Sequence, residues 1–259
     1  MAIKILVATH KDVMLPSGGI YSPIFVGSNL HSDITSNFQP DNEGENISDL
    51  NPRFNELTAV YWAWKNDSSE ILGLTHYRRL FRSTGLFNRK LLDGRQVMNA
   101  LKKSDVILPP KRHYYIETIE SHYYHSHSSQ GLDILKEIIR LQPPKYRESF
   151  NRVLKARSAH MFNMFVMPRE LFDQYCQWVF PILFEVDHRI DYSTLNGNET
   201  RAVGFVSEIL MDVWIQANNV TYTEVPLYFV GSQHWGKKIV RFILNKFLGR
   251  KVNLNSHID

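Results

Sequence analysis

The sequence contains a single cysteine, Cys176, among its 259 residues. A lone thiol excludes an intrachain disulfide and a structural zinc site made of several cysteines. Aromatic residues surround this position in the sequence, so we expect a buried and unreactive thiol.

Long apolar runs are also missing from the sequence. No segment reaches the roughly 18 apolar residues that a transmembrane helix requires. The apolar run within residues 1–8 is too short for a signal peptide and is typical of a first strand. We therefore expect a cytoplasmic protein.

The glycine-rich phosphate motifs are absent as well. The chain has no GxGxxG sequence and no P-loop, which argues against dinucleotide-binding and Walker-type proteins. Its 43% hydrophobic content is enough for the core of one large α/β domain. The formal net charge is +4 and many basic residues lie near the C-terminal end, which indicates a local anionic partner and no nucleic acid.

The most informative stretch is a short apolar run that ends in basic and aromatic residues. Residues 71–75 are predicted to form a buried strand, and His76, Tyr77, Arg78 and Arg79 follow directly. Ligands of open α/β sheets bind beyond the carboxyl ends of the strands, and paired arginines suit a diphosphate. The alternative is that these side chains only reach water or pair with nearby carboxylates.

The order of predicted elements indicates a parallel sheet. Residues 3–8 form a first strand that ends in Thr9, His10 and Lys11, and a helix over residues 51–65 leads to the strand at 71–75. Further helices are predicted over 91–103, 132–141, 146–157, 169–186 with an interruption at Pro181, and 201–217. Further strands are predicted over 24–26, 105–110, 162–167 and 222–230.

Residues 111–129 interleave histidines with tyrosines. His122, His125 and His127 are candidate metal ligands, but no regular helix places all three on one face. We favour an aromatic loop over residues 114–127 that stacks on a ligand such as a sugar.

The helix at 201–217 carries a second candidate site. Arg201, Gly204 and Glu208 share one face. A glycine inside a helix costs roughly 1 kcal/mol relative to alanine, so Gly204 needs a reason. Close approach by a ligand or another backbone is one reason. Tight helix packing, with Glu208 paired to Arg201 or another cation, is the other.

A basic amphipathic helix is predicted over residues 237–248. Such a helix can lie in the interface of an anionic membrane. It can equally pack on the domain through its apolar face.

Several of these stretches resemble a bacterial family of capsular and exopolysaccharide glycosyltransferases, known as domain of unknown function 4422 and associated with galactofuranosyl transfer. The resemblance lies in His76-Tyr-Arg-Arg79 and in residues 55–65 and 161–167. It extends to Asp41-Asn42, residues 46–48, residues 170–178, Arg201, Gly204-Phe205 and Ser207-Glu208.

This resemblance implies a GT-A-like α/β fold, with one nucleotide-binding domain over residues 1–235, a mostly parallel central sheet and a basic tail over 236–259. Retaining members of that fold class usually hold a divalent metal on an Asp-x-Asp motif, where this chain has His76-Tyr77-Arg78. No required cofactor is therefore expected, with Mn²⁺ or Mg²⁺ as the alternative.

The resemblance further implies transfer of a sugar, galactofuranose, from a UDP-sugar to a lipid-linked acceptor in capsule, exopolysaccharide or O-antigen synthesis. The enzyme would work at the inner face of the cytoplasmic membrane, held there by its basic tail. Glu208 is the expected catalytic base, with Asp191 as second choice. The expected donor-binding residues are Thr9, His10, Lys11, His76, Arg78, Arg79, His234 and Lys237. The expected acceptor-binding residues are Tyr124, His125, Asn163 and Arg201.

Two other classes of function stay open. A non-catalytic carbohydrate-binding module would use the aromatic loop without the strand-end arginines. A phosphohydrolase or nucleotidyltransferase would use the cationic site but normally needs metal-binding carboxylates at a strand end.

Overall fold

The central sheet is built from short and almost wholly apolar strands. We determined a computed structural model that describes residues 1–11, 19–31, 36–83 and 91–230. The strands are β1 (Ile3–Thr9), β2 (Tyr21–Phe25), β3 (Gln39–Pro40), β4 (Ile71–His76), β5 (Arg79–Phe81), β6 (Val106–Leu108), β7 (Arg112–His113), β8 (Ser158–Ala159), β9 (Phe165–Pro168), β10 (Tyr222–Glu224) and β11 (Leu227–Phe229).

Within the described residues, the main sheet has the strand order β10-β6-β9-β4-β1-β2-β3. Neighbours along this order are parallel except around β9, which runs antiparallel to both β4 and β6. The carboxyl ends of β2, β1 and β4 therefore open at one edge. Ala8 pairs with His76 in the register there, so the residues after β1 and β4 meet as the sequence predicts.

Helices cover both faces of the sheet. They are α1 (Asn51–Phe54), α2 (Leu57–Asn66), α3 (Gly94–Leu101), α4 (Ile119–Ser126), α5 (Ser129–Arg140), α6 (Pro144–Lys155), α7 (Arg169–Arg189) and α8 (Ala202–Asn218). Short 3-10 turns lie at Ser28–Leu30, Ser48–Leu50, Tyr192–Thr194 and Gly197–Arg201.

Alternate residues of β1 serve two separate hydrophobic clusters. Leu6 and Ala8 pack into the large cluster beneath α2 and α4 to α8, whereas Ile5 and Val7 pack into a smaller cluster with α3 and β5. This alternation follows from the two-residue period of a strand. Cys176 is fully buried in the large cluster, and burial raises the pKa of its thiol, as expected for an unreactive cysteine.

The predicted helix over 51–65 is wrong in one respect, because it is two helices. Asn55 has a positive φ of +52° with ψ −130°, a non-helical conformation that separates α1 from α2. The predicted interruption at Pro181 is also wrong, since α7 continues through it. Pro181 lies on the exposed face of α7 while Phe180 and Ile182 are buried, so packing on both sides holds the helix together.

The aromatic loop predicted over 114–127 is largely helical. Thr118 caps α4 by accepting a hydrogen bond from the backbone N–H of Ser121 at 3.1 Å. Ile119 and Tyr123 are buried one turn apart and anchor the helix. The predicted strand over 222–230 is divided into β10 and β11 around Val225-Pro226, because proline offers no N–H to a strand ladder.

A buried imidazole ties α8 to the last strands. The His160 ring lies 2.5 Å from Asp212 Oδ1 through Nδ1 and 3.1 Å from Glu224 Oε1 through Nε2. This contact fixes α8 against β10 and is a structural link.

The C-terminal predictions fall beyond the described part of the chain. The domain boundary at 235/236, the basic helix over 237–248, His234 and Lys237 all lie outside the described residues. Within the described residues, no helix combines the length and apolar character needed to cross a membrane.

Candidate active site

A cluster of cationic side chains occupies the edge where β1 and β4 end. The hydroxyl of Thr9 accepts a hydrogen bond from the N–H of Lys11 at 3.1 Å and so turns the chain sharply after β1. The His10 ring then meets Tyr77 edge-on at 5.5 Å, and the Arg78 guanidinium lies 5.0 Å from the centre of the same ring. We call His10, Lys11 and Arg78 the cationic cluster.

Lys11 and Arg78 carry the positive charge of this cluster, and the His10 imidazole beside them is held toward its neutral form. Burial lowers the pKa of His10, and the charges of Lys11 and Arg78 lower it further, with smaller effects from His31 and Arg201. Among the described residues, neither Lys11 nor Arg78 forms an ion pair with a carboxylate. A site that concentrates positive charge in this way favours an anionic ligand.

Arg79 has different neighbours from Arg78. Its half-buried guanidinium lies 4.1 Å from the centre of the Phe162 ring, a cation–π contact. Burial lowers the pKa of Arg79, while the nearby carboxylates of Glu208 and Glu56 raise it. Arg79 therefore joins the cationic cluster to an acidic pair.

The turn before β9 is part of the same edge. Phe162 and Asn163 both have left-handed backbone conformations, with φ values of +80° and +51°. His76 donates a hydrogen bond from Nε2 to the carbonyl oxygen of Phe162 at 2.6 Å. Such strain is sustained only where surrounding contacts enforce it, and His76 at the end of β4 supplies one of them.

Asn163 is buried, with 4% of its surface exposed, and its side chain forms hydrogen bonds within the protein. Its amide donates to Glu56 Oε1 at 2.7 Å and to Ser207 Oγ at 2.9 Å. The predicted acceptor residue thus holds Glu56 in place beside α8.

Glu208 is the carboxylate around which this part of the site is arranged. Burial raises the pKa of Glu208 to about 7, and the negative charge of Glu56 adds to the rise. The guanidinium groups of Arg79 and Arg112 and the backbone amide of Phe162 act in the opposite direction. A carboxylate with a pKa near neutral is suited to accept a proton from a substrate.

Gly204 is explained by packing within the protein. A Cβ atom at this position would lie 1.9 Å from Nδ2 of Asn55, so any larger residue would force the Asn55 side chain to move from the α1/α2 junction. Arg201 donates from Nε to Oδ1 of Asn55 at 2.7 Å, while Glu208 faces Arg79 and Arg112. Tight packing is therefore confirmed for Gly204, whereas the pairing of Glu208 with Arg201 is wrong.

The remaining predicted residues lie elsewhere. Asp191 is exposed and accepts a hydrogen bond from the N–H of Ser193 at 3.0 Å, which caps a 3-10 turn. Tyr124 donates to Asp133 at 2.6 Å, and His125 contacts Glu117 at 2.7 Å. None of these hydrogen bonds reaches the cationic cluster or Glu208.

Sequence reasoning missed Glu56, Arg112 and Phe162. Glu56 lies in the stretch 55–65, where it was assigned to the interior of a single helix. Arg112 lies in β7, with its guanidinium 5.1 Å from the centre of the Tyr114 ring. No local signal connects these residues, since they come from separate parts of the chain.

The described residues do not form a metal site at the strand ends. His122 and His125 both direct Nδ1 at Glu117, and His127 stacks on Phe205 with ring centres 3.9 Å apart. The described residues contain no group of three or more histidines, cysteines or acidic residues placed to hold a metal ion. At the end of β4, imidazole and guanidinium groups lie where retaining members of the fold class usually have carboxylates.

The sheet and its open carboxyl edge define a GT-A-like fold. The chain is similar to the apo structure of the WbbM bifunctional glycosyltransferase, with a TM-score of 0.81 and 24% sequence identity. The match covers 90% of this chain and 46% of the other, so the chain spans about half the length of that protein. The expected fold is confirmed.

The family follows from a separate comparison. The model of the family described as Domain of unknown function (DUF4422) matches residues 4–219. The chain belongs to this family, as the resemblance of the strand-end and helix sequences predicts. No curated protein matches the chain.

Proposed function

We propose that this protein is a glycosyltransferase that moves a sugar from a UDP-sugar donor to a saccharide acceptor. The observation that carries the proposal is the juxtaposition of the cationic cluster with a carboxylate whose pKa is raised to about 7. Arg79 links the two, because burial lowers its pKa while the charges of both Glu208 and Arg78 also act on that pKa. The GT-A-like fold and the nature of its structural neighbour support this function.

The cationic cluster would bind the diphosphate of the donor. Guanidinium groups bind phosphate oxygens through charge-assisted and often bidentate hydrogen bonds. Arg78 is exposed at the mouth of the site, and Thr9 fixes the turn that presents His10 and Lys11 beside it. As the bond between the sugar and the β-phosphate breaks, these groups would stabilise the charge that develops on UDP.

Glu208 would act as the general base. It takes the proton of the acceptor hydroxyl as that oxygen attacks the anomeric carbon and UDP departs, which inverts the configuration. Burial and the charge of Glu56 raise its pKa, Arg79 and Arg112 oppose the rise, and the pKa is about 7 as a result. Asn163 keeps Glu56 in position for this role.

We infer the cellular setting from the family resemblance. The proposed donor sugar is galactofuranose, and the proposed acceptor is a lipid-linked saccharide of capsule, exopolysaccharide or O-antigen synthesis. The proposed location is the inner face of the cytoplasmic membrane, with the basic tail over 236–259 in contact with anionic lipid. No cofactor is required in this proposal.

The proposal is tested by incubating the full chain with UDP-hexoses and a saccharide acceptor in EDTA and measuring UDP release and glycosylated product. We expect product from the wild-type protein, with kcat/KM rising to a plateau above about pH 7. Glu208→Gln should bind UDP normally and lose product formation. Asp191→Asn is the matched control and should be active.

Each other outcome would assign a different catalytic base or a different function to this protein. Product from Glu208→Gln but none from Asp191→Asn would transfer the role of base to Asp191. Release of inorganic phosphate would indicate a phosphohydrolase, and saccharide binding without UDP release would indicate a binding module.

A further inference from the structure

A cavity of about 490 Å³ opens between α4, α5 and α6 and shares no residue with the candidate active site. Its floor is apolar, formed by the buried side chains of Ile139, Phe150 and Leu154. Its rim carries three exposed cations, Arg140 at the end of α5 and Arg147 and Lys155 on α6. An apolar floor beneath a basic rim matches an amphiphilic anion.

The carboxylate of the cavity lining does not neutralise the rim cations. This carboxylate, Glu120, forms an ion pair with Lys136, so these two neutralise each other. Within the described part of the chain, Arg140, Arg147 and Lys155 form no ion pair. Three positive charges therefore face solvent around this cavity.

An exposed apolar side chain lies next to the rim. Leu141 follows Arg140 at the end of α5 and is 87% exposed. A soluble anion would use the cations alone, leave Leu141 in contact with water and have no use for the apolar floor. A lipid uses all three features, because its phosphate meets the cations and its hydrocarbon meets the apolar groups.

We propose that this cavity docks the phosphate headgroup of an anionic phospholipid at a membrane surface. Lys136 also donates to the hydroxyl of Tyr124 at 2.8 Å, so one wall of the cavity is the helix that carries a predicted acceptor residue. Lipid docking would hold that side of the protein against the membrane. Lipid docking at this cavity does not depend on the catalytic activity proposed above.

The test uses the full chain and its partition onto vesicles of phosphatidylcholine, with and without phosphatidylglycerol. The test variant is Arg140→Gln/Arg147→Gln/Lys155→Gln. Each basic residue near an anionic surface contributes about 1 kcal/mol, so the triple variant should bind anionic vesicles on the order of a hundredfold more weakly. Leu141→Ser, at an exposed position that does not endanger folding, should also weaken binding.

The matched control removes the same charge from the opposite face of the sheet, where Arg95, Lys102 and Lys103 are exposed on and after α3. Arg95→Gln/Lys102→Gln/Lys103→Gln should bind vesicles like the wild type. Equal losses in the two triple variants would overturn the proposal, because binding would then follow net charge alone. Loss of vesicle binding in millimolar inorganic phosphate at constant ionic strength would also overturn it, since the site would then take a free anion.

This test is separate from that of the proposed function. Transfer to a soluble acceptor should be unchanged in the cavity variant. Vesicle binding should be unchanged in Glu208→Gln.

Discussion

Glu208 is half-buried, and the role of general base that we propose for it requires its negative charge. Its pKa of about 7 arises because burial and Glu56 disfavour the charged form more than Arg79, Arg112 and the Phe162 amide favour it. A general base needs this balance, since a carboxylate with a low pKa is a weak base and one with a high pKa stays protonated. The arrangement costs stability whenever Glu208 is ionised.

Because ionised Glu208 lowers the free energy of unfolding, we predict that Glu208→Gln gains stability in a pH-dependent way. The pKa of Glu208 lies above its ordinary value of 4.5, so between about pH 4.5 and 7 the native protein binds more protons than the unfolded chain. Stability therefore falls as the pH rises through that window, by up to about 3 kcal/mol for a shift of this size. Glutamine resembles the protonated acid and avoids the loss.

Urea unfolding at pH 5 and pH 8 measures this effect. Glu208→Gln should match the wild type at pH 5 and be more stable at pH 8. Asp191→Asn, at an exposed position, should show no such gain. A Glu208→Gln protein that is less stable than the wild type at pH 8 would show that the two guanidinium groups already stabilise the ionised carboxylate.

At the scale of elements, the break between α1 and α2 brings the two halves of the site together. Asn55 in its positive-φ conformation ends α1, and its side chain receives Arg201 while its amide nitrogen packs against Gly204. Glu56 follows at the start of α2, where Asn163 holds it near Glu208. The irregular junction therefore positions Glu56 of α2 near α8, the helix that carries Glu208.

Gly204→Ala should destabilise the protein by about 1–3 kcal/mol, because the added methyl group overlaps Asn55. Asn55→Gly should restore most of this loss, since glycine removes the overlapping side chain and readily adopts φ +52°. Thermal or urea unfolding of the single and double variants measures the coupling.

Gly197→Ala is the matched control for that cycle. Gly197, unlike Gly204, has a positive φ, +54°, so alanine there costs backbone strain, but an added Cβ atom would meet no atom within 4 Å among the described residues. The loss of stability caused by Gly197→Ala should therefore be the same with and without Asn55→Gly. An additive result for Gly204→Ala and Asn55→Gly would contradict the proposed contact.

At the scale of the whole molecule, sheet order explains which parts of the site the sequence predicts. His10, Lys11, Arg78 and Arg79 directly follow apolar strands, and parallel pairing of those strands places them together. Phe162 and Asn163 reach the same edge only because β9 lies antiparallel between β4 and β6. No local pattern encodes that placement, and the same holds for Arg112 in β7.

The helical part of the molecule shows a related limit. The buried pair Ile119 and Tyr123 and the Thr118 cap make α4 a helix, although its histidines and tyrosines suggest a ligand-binding loop. The histidines and tyrosines of this stretch indicate ligand binding, whereas its N-terminal cap and its buried side chains make it a helix. The basic cavity forms where α4, α5 and α6 pack together, so no local sequence pattern predicts it.

Donor binding by the cationic cluster is the central claim, and calorimetric titration of the full chain with UDP in EDTA tests it most directly. A charge-assisted hydrogen bond contributes about 1.5–3 kcal/mol, so Arg78→Ala should weaken UDP binding by roughly tenfold to a hundredfold. Arg82→Ala removes an exposed arginine of the neighbouring strand end and should leave the affinity unchanged. Binding only after addition of Mn²⁺, or equal affinity in Arg78→Ala and the wild type, would contradict the account.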